Sequence, residues 1–283
     1  MITELKLDLP ESGIAGQRIL SSGRGHPIVM LHGNPDTAEE WRPLMTQLGD
    51  AFHCIAPDMP GYGTSAALPK TFTYTVREQT SFVDEVLDAL GVTGKVTLVL
   101  HDIGAMMGVP WAAAHRERLR GVVVTNTVAF EGFSWFPMAR LWGRSDWLGR
   151  AQAGLLMKAI GLRKGARFRQ AFAAQNPQLS DADLDRMTHA FALSPSVKDA
   201  CLRQFRQVMA AGFFDGFDQM NRSIAASVPV HVVWGQDDPY IPDRYADAFF
   251  AHAVTRLPAA GHWPALVAPE AIAEAVRGIA AGD

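Results

Sequence analysis

Cysteine is nearly absent. The 283 residues hold only Cys54 and Cys201, too few and too far apart for a disulfide framework or a cysteine-based metal site. A cationic excess is also missing, since 26 Lys and Arg stand against 29 Asp and Glu for a formal net charge of -3. A protein that neutralises phosphates needs the opposite balance, so no nucleic-acid partner is expected. No stretch comes near the ~18 uninterrupted apolar residues of a membrane span, and no membrane partner is expected. The first residues, MITELKLDLPESG, intersperse charges where a signal peptide needs an apolar run. With the low cysteine content, this leads to an expected cytoplasmic location. Tyrosine is scarce as well, at Tyr62, Tyr74, Tyr240 and Tyr245.

What is present is ample apolar material. Hydrophobic residues make up 48% of the chain and charged residues 19%, enough to bury a sizeable core. Apolar runs typical of strands alternate with helical patterns: HPIVMLHG, TAEEWRPLMTQL, FHCIAPD, VREQTSFVDEVLDAL, KVTLVLHD, AMMGVPWAAAHRERL and LRGVVVTNT. The strands are continuous rather than alternating, as in a parallel sheet covered on both faces, so the fold class is α/β. From about Ala129 to Arg222 the strands stop and helical sequence rich in Phe, Trp, Arg and Ala takes over; VPVHVVWG and AVTRLPAAGH then resume the pattern. The expected organisation is a core of residues 1–128 and 223–283 with a helical cap, 129–222, inserted between two strands. From Glu131 to Arg222 there are 13 Lys and Arg against 8 Asp and Glu, so the cap is cationic and the remainder anionic. The cap cations read as a solvated helical face.

One joint carries a question. In VTLVLHDIGAMMG a carboxylate, Asp102, stands where a buried strand turns into a buried helix. An unpaired buried charge costs several kcal/mol, so Asp102 is either the N-cap of that helix or a functional group. In open parallel sheets reactive groups gather where strands end at their C-terminal edge. Asn34 in HGNP, Asp102, Asp237-Asp238 after VVWGQ, and His262 after the last strand all hold such positions.

The order of a nucleophile on a sharp strand-to-helix turn, then an acid, then a histidine resembles the α/β-hydrolase fold: a mostly parallel twisted sheet flanked by helices, with an inserted helical cap. The turn reads Leu100-His101-Asp102-Ile103-Gly104 where the fold normally has G-x-S-x-G. With HGNP and DMPGYGTS, this looks like the branch containing haloalkane dehalogenases and epoxide hydrolases. The resemblance implies Asp102 as nucleophile, His262 as base, and Asp238 as the acid orienting it, since the family's G-x-x-D spacing from Gly235 selects Asp238 over Asp237. It implies the backbone N–H groups of Asn34 and Ile103 as oxyanion donors, with Asn34 also a halide contact. It implies no cofactor and no metal.

The chemistry of a carboxylate narrows the reaction. At an ordinary pKa near ~3.9 it is ionised at neutral pH and needs no base. Attack on an ester carbonyl gives an anhydride, whereas attack on a saturated carbon bearing a halide or an epoxide oxygen gives an ester that water can hydrolyse. The expected partners are therefore an apolar small-molecule substrate and water, with a carbon-halogen bond slightly preferred over an epoxide.

Two departures from the family pattern bear on this. Ile103 stands where haloalkane dehalogenases place a halide-binding tryptophan, which leaves Trp135, Trp142 or Trp147 as substitutes. No tyrosine lies in the cap, where epoxide hydrolases keep their ring-opening acids, and His189 is the cap's only histidine. Asn126 stands near the place where some dehalogenases carry the acid as Glu, and Glu131 is a weaker substitute for Asp238. Trp234 and Trp263 read as packing and His101 as a supporting residue. The alternative is a non-catalytic, ligand-binding member of the fold. An HD-type metal phosphohydrolase, suggested by His101-Asp102 alone, is disfavoured because that fold is all helical.

Overall fold

The computed structural model describes residues 1–65 and 68–281. Eight strands form one sheet: β1 (Thr3–Leu9), β2 (Ile14–Ser22), β3 (His26–Leu31), β4 (Phe52–Pro57), β5 (Val96–His101), β6 (Leu119–Thr125), β7 (Val230–Gly235) and β8 (Ala253–Leu257). Their order across the sheet is β1-β2-β4-β3-β5-β6-β7-β8. From β4 to β8 every pairing is parallel, while β1 and β2 join antiparallel at one edge. That edge escaped the sequence reading. In TELKLDL the charges suggest solvent, yet Leu5, Leu7 and Leu9 alternate with them as in a half-buried edge strand.

The helices are α1 (Arg42–Leu48), α2 (Val76–Ala89), α3 (Ile103–Ala114), α4 (Pro137–Trp142), α5 (Trp147–Ile160), α6 (Ala166–Gln175), α7 (Asp181–Ala192), α8 (Pro195–Val208), α9 (Phe217–Ala225), α10 (Pro264–Val267) and α11 (Pro269–Ala281). α2 starts on a full capping box, in which Thr75 accepts from the Glu78 N–H and the Glu78 carboxylate accepts from the Thr75 N–H. Strand β5 shows why its run is continuous. Leu98 and Leu100 enter the core beneath α2 and α3, whereas Val99 enters the opposite core of Trp41, Ile272 and Val276. Each such fully buried aliphatic side chain contributes roughly 1.5–3 kcal/mol.

The helices α4 to α8 lie between β6 and β7 in the chain, in the region read as a cap. The following helix, α9, packs against α3, so a boundary at Arg222 runs through a helix that sits on the core. Phe172, Leu184 and Met187 from the inserted helices form a cluster with Trp263 of the core, closing the two parts over the sheet edge. That edge has a switch point: from β3 the chain moves outward to β4 in one direction and β5 continues in the other. In such sheets the crevice opens there, at the carboxyl ends of the strands.

Candidate active site

Asp102 follows the last residue of β5 and has φ 45 and ψ -122, a positive-φ conformation that costs of order 1–3 kcal/mol for a residue with a Cβ. Its neighbours hold it there. The Asp102 N–H donates to the Asn126 carbonyl at 3.2 Å, and the Thr127 hydroxyl donates to the Asp102 carbonyl at 2.6 Å. The side chain makes no cap to α3, which removes the N-cap reading. Instead, Oδ2 accepts the backbone N–H of Asn34 at 2.9 Å. Two glycines allow the β3 loop and α3 to approach this closely: a Cβ on Gly104 would meet the Leu31 carbonyl oxygen at 2.3 Å, and one on Gly33 would meet the Asp102 Cβ at 2.7 Å. Ile103 is the first residue of α3, where backbone N–H groups have no partner within the helix.

Across the edge, the His262 Nδ1 lies 2.7 Å from Asp238 Oδ2. The same oxygen accepts from the Asn126 side-chain amide at 2.8 Å, and Oδ1 accepts the N–H groups of Tyr240 and Ile241 at 2.7 and 2.9 Å. Burial works to raise the Asp238 pKa, but the imidazole of His262 and the two backbone donors hold it below its ordinary value. Asn126 braces the loop a second time by pairing with the backbone of Gly235 in both directions. Asp237 is exposed, and Glu131 accepts from the Gly216 N–H near the surface, so neither reaches the imidazole.

Behind the turn lies a buried ion pair that the motifs do not announce. His101 Nδ1 is 2.7 Å from Glu40 Oε1, and both side chains are fully buried. Burial disfavours the charged imidazole, yet Glu40 and then Asp102 raise it to a pKa of about 9, while Glu40 itself is held low against its own burial by His101. His101 Nε2 faces the His262 carbonyl at 2.7 Å, and the other Glu40 oxygen accepts the Gly33 N–H at 3.3 Å. One pair thus ties α1's approach, the β3 loop, the Asp102 turn and the histidine loop together. His32 does a neutral version of this: burial lowers its pKa, Nδ1 donates to the Gly33 carbonyl, and Nε2 accepts the Met59 N–H.

Asp102, Asn34 and His262 share one cavity of about 620 Å³. Its remaining wall is mostly aromatic and aliphatic, with Trp135 from the loop before α4, Trp142, Phe168 and Phe172 from the inserted helices, and Tyr240 and Trp263 from the core. Trp142 and Trp263 each bury an indole N–H that has no hydrogen-bond partner among the described residues, and the same is true of the Asn34 side-chain oxygen. Trp147, by contrast, is 81% exposed on the outer surface. His189 is exposed on α7 and off the cavity wall. Of the four tyrosines only Tyr240 lines the cavity. Its hydroxyl donates to Gln175 and accepts from Asn176, and burial raises its pKa to about 12.

All five residues singled out by the sequence therefore lie at the same sheet edge. Glu40, Tyr240 and the double role of Asn126 were missed. Tyr240 stands two positions after Asp238, a spacing that puts it on the same loop. Trp263, read as packing, is both packing and cavity wall. No group of three or more His, Cys, Asp and Glu among the described residues is arranged to hold a metal ion.

Comparison with known proteins bears on the family and the fold. A family model described as alpha/beta hydrolase fold matches residues 26–269. The chain is 35% identical over 167 residues to a cis-3-alkyl-4-alkyloxetan-2-one decarboxylase of Xanthomonas campestris pv. campestris, covering 53% of this chain and 55% of that protein. It thus spans little more than half the length of that relative. Haloalkane dehalogenase 2 of Mycobacterium tuberculosis is 27% identical over 267 residues, covering 91% of this chain and 88% of that one. Among solved structures, a mutant of haloalkane dehalogenase DatA from Agrobacterium tumefaciens C58 superimposes with a TM-score of 0.77 at 23% identity, over 98% of this chain and 96% of that one. At that identity the likeness is one of fold.

Proposed function

The chain belongs to the α/β-hydrolase fold family, and from that premise we propose that it is a hydrolase acting on a saturated carbon through an ester on Asp102. In the first step a carboxylate oxygen of Asp102 bonds to the carbon, and the leaving group departs with the electron pair of the broken bond. In the second, water attacks the ester carbonyl, His262 takes the water's proton, and the acyl–oxygen bond breaks to release an alcohol and restore the carboxylate. Asp238 holds the imidazole in the tautomer with Nδ1–H and stabilises its charged form. The N–H groups of Asn34 and Ile103 serve the oxyanion of the second step, each good donor being worth about 3 kcal/mol. The observation that carries this reading is the shared cavity: an elbow carboxylate already holding one backbone N–H at 2.9 Å, and a histidine paired to a buried aspartate, open onto the same apolar space.

A carbon-halogen bond is the substrate class we favour. The cavity wall carries the unpartnered indole N–H groups of Trp142 and Trp263, and neutral donors in an apolar site suit a departing halide better than a proton acid does. A second reading, a strained oxygen ring, rests on the Tyr240 hydroxyl in the same wall and on the oxetanone-decarboxylating relative. A single turnover in oxygen-18 water tests the shared step. The label is expected in the Asp102 carboxylate, with unlabelled alcohol; label in the alcohol alone would mean direct attack of water and would overturn the proposal. Halide in the medium, against diol or ring-opened product, separates the two substrate classes.

A further inference from the structure

Helix α5 is apolar on both sides. Gly149, Ala153, Met157 and Ile160 face inward and are buried, but Trp147, Leu148 and Leu155 are 81%, 44% and 67% exposed. With Ala151 they recur at helical spacing along one outward stripe, and Leu162 in the next turn extends it at 61% exposure. Met138 of α4 adds a further exposed side chain. Basic residues border the stripe. Between Pro137 and Gln170 the chain has 8 Lys and Arg against one acid, Asp146, and that acid is bound by Arg144. Arg150, Lys158, Arg163, Lys164 and Arg167 have no ion-pair partner among the described residues.

We propose that this outward face of the cap docks on an anionic lipid surface, with the Trp147, Leu155 and Leu162 side chains entering the interface and the surrounding cations facing the headgroups. An apolar face flanked by Lys and Arg is what such interfacial helices present, and lysine stems extend along apolar surface while the charge stays at headgroup level. No helix among the described residues is long and apolar enough to cross a membrane, so attachment is to the surface. The absence of a span, which led the sequence reading to expect no membrane partner, does not bear on surface attachment. A second copy of the chain is the poorer occupant. A two-fold contact through this stripe sets Arg150, Lys158, Arg163 and Lys164 against their own kind, with no carboxylate of the same face to offset them.

The position of the stripe gives it a use. Met138, Leu156, Ala159, Leu162 and Arg167 also line the cavity, so the docking face and the cavity wall are contiguous. An apolar substrate dissolved in lipid passes from the interface to the cavity without crossing water. The docking itself is independent of the chemistry proposed for Asp102, and its test reads binding alone.

The 283-residue chain is sedimented with vesicles of phosphatidylcholine, and with vesicles in which phosphatidylglycerol is mixed in. Preferential binding to the anionic vesicles is expected, weakened by added salt, and reduced about tenfold or more in Trp147→Ser/Leu155→Ser. The charge reversal Lys158→Glu/Lys164→Glu reduces it by a similar factor. In Trp147→Phe binding persists, but the vesicle-induced blue shift of tryptophan emission is lost. Equal partitioning to both vesicle types, a double serine variant that binds like the wild type, or a blue shift undiminished in Trp147→Phe would overturn the proposal. So would a lipid-free dimer that the double serine variant converts to monomer, since the face then belongs to a second copy.

Discussion

At the sheet edge, both oxygens of Asp238 and one of Asp102 receive donors at 2.7–2.9 Å, whereas on α4, in the wall of the same cavity, the indole N–H of Trp142 is buried with no partner among the described residues. The first arrangement is held by strand ends, close-approach glycines and paired carboxylates. The second leaves a donor without a partner in a wall of aromatic rings. The difference teaches where chemistry and selectivity separate. In the proposed reaction, the edge would supply attack and release on a carbon that reaches Asp102, and the aromatic wall from the inserted segment would decide which leaving group is met.

Substitutions at the edge are the strongest attempts to break this division. Asp102→Asn removes the attacking oxygen, and turnover on every substrate is expected to fall by about 10⁶, measured as product release under saturation. Equal loss for halide and epoxide substrates belongs to the same expectation. Asp238→Asn leaves the loop hydrogen bonds to Tyr240 and Ile241 available but inverts the tautomer preference at His262, so a fall of about 10⁴ in ester hydrolysis is expected. The first, alkylating step is spared, and a burst of one equivalent of halide under rapid quench is the sign of it.

Glu40→Gln probes the ion pair beneath the edge. A loss of about 2 kcal/mol in folding stability near pH 7 is expected, limited because His101 sheds its proton once unpaired. The sign with pH is fixed by the directions of the shifts. His101 is raised from 6.5 to about 9, so its share of stability is fully present below pH 6.5 and lost as pH rises through about 9. Glu40 is depressed, so its share is present above the ordinary carboxylate range and lost as pH falls through its lowered value. Thermal unfolding of wild type and variant should therefore diverge most between those limits and converge in alkali. The smallest effect is in the cap. Trp142→Phe keeps an aromatic ring and removes the donor, and a fall of about tenfold for chlorinated substrates is expected, shrinking for iodides, whose leaving group needs less help. An unchanged halide series would return the cavity wall to packing alone.

The same division governs what was legible in the sequence. Strand β5 and the residue after it could be read because a buried parallel strand is a continuous apolar run, and a carboxylate at its end is anomalous. Asp238 is preferred over Asp237 only through the family's G-x-x-D spacing from Gly235, and the structure puts Asp238 beside the imidazole with Asp237 in solvent. Glu40 could not be read: on α1's approach it looks like one more charge in TAEEW, and only the fold brings it against His101. Tyr240 lies outside the insertion, where the family pattern seeks its tyrosines, although a loop that carries an acid to the cavity carries its near neighbours too. Cap aromatics were legible as a greasy composition, not as a wall, because helical spacing of Phe and Trp serves core and cavity alike.

The central claim is a transient bond between Asp102 and a saturated carbon. His262→Phe leaves the attacking carboxylate intact and removes the base that frees it, so the variant, incubated with a bromoalkane and weighed as intact protein, should gain the mass of one alkyl group in place of a proton, and peptide fragmentation should locate it on Asp102. A variant that turns over freely with no added mass, or carries the alkyl group on any other residue, would contradict the account.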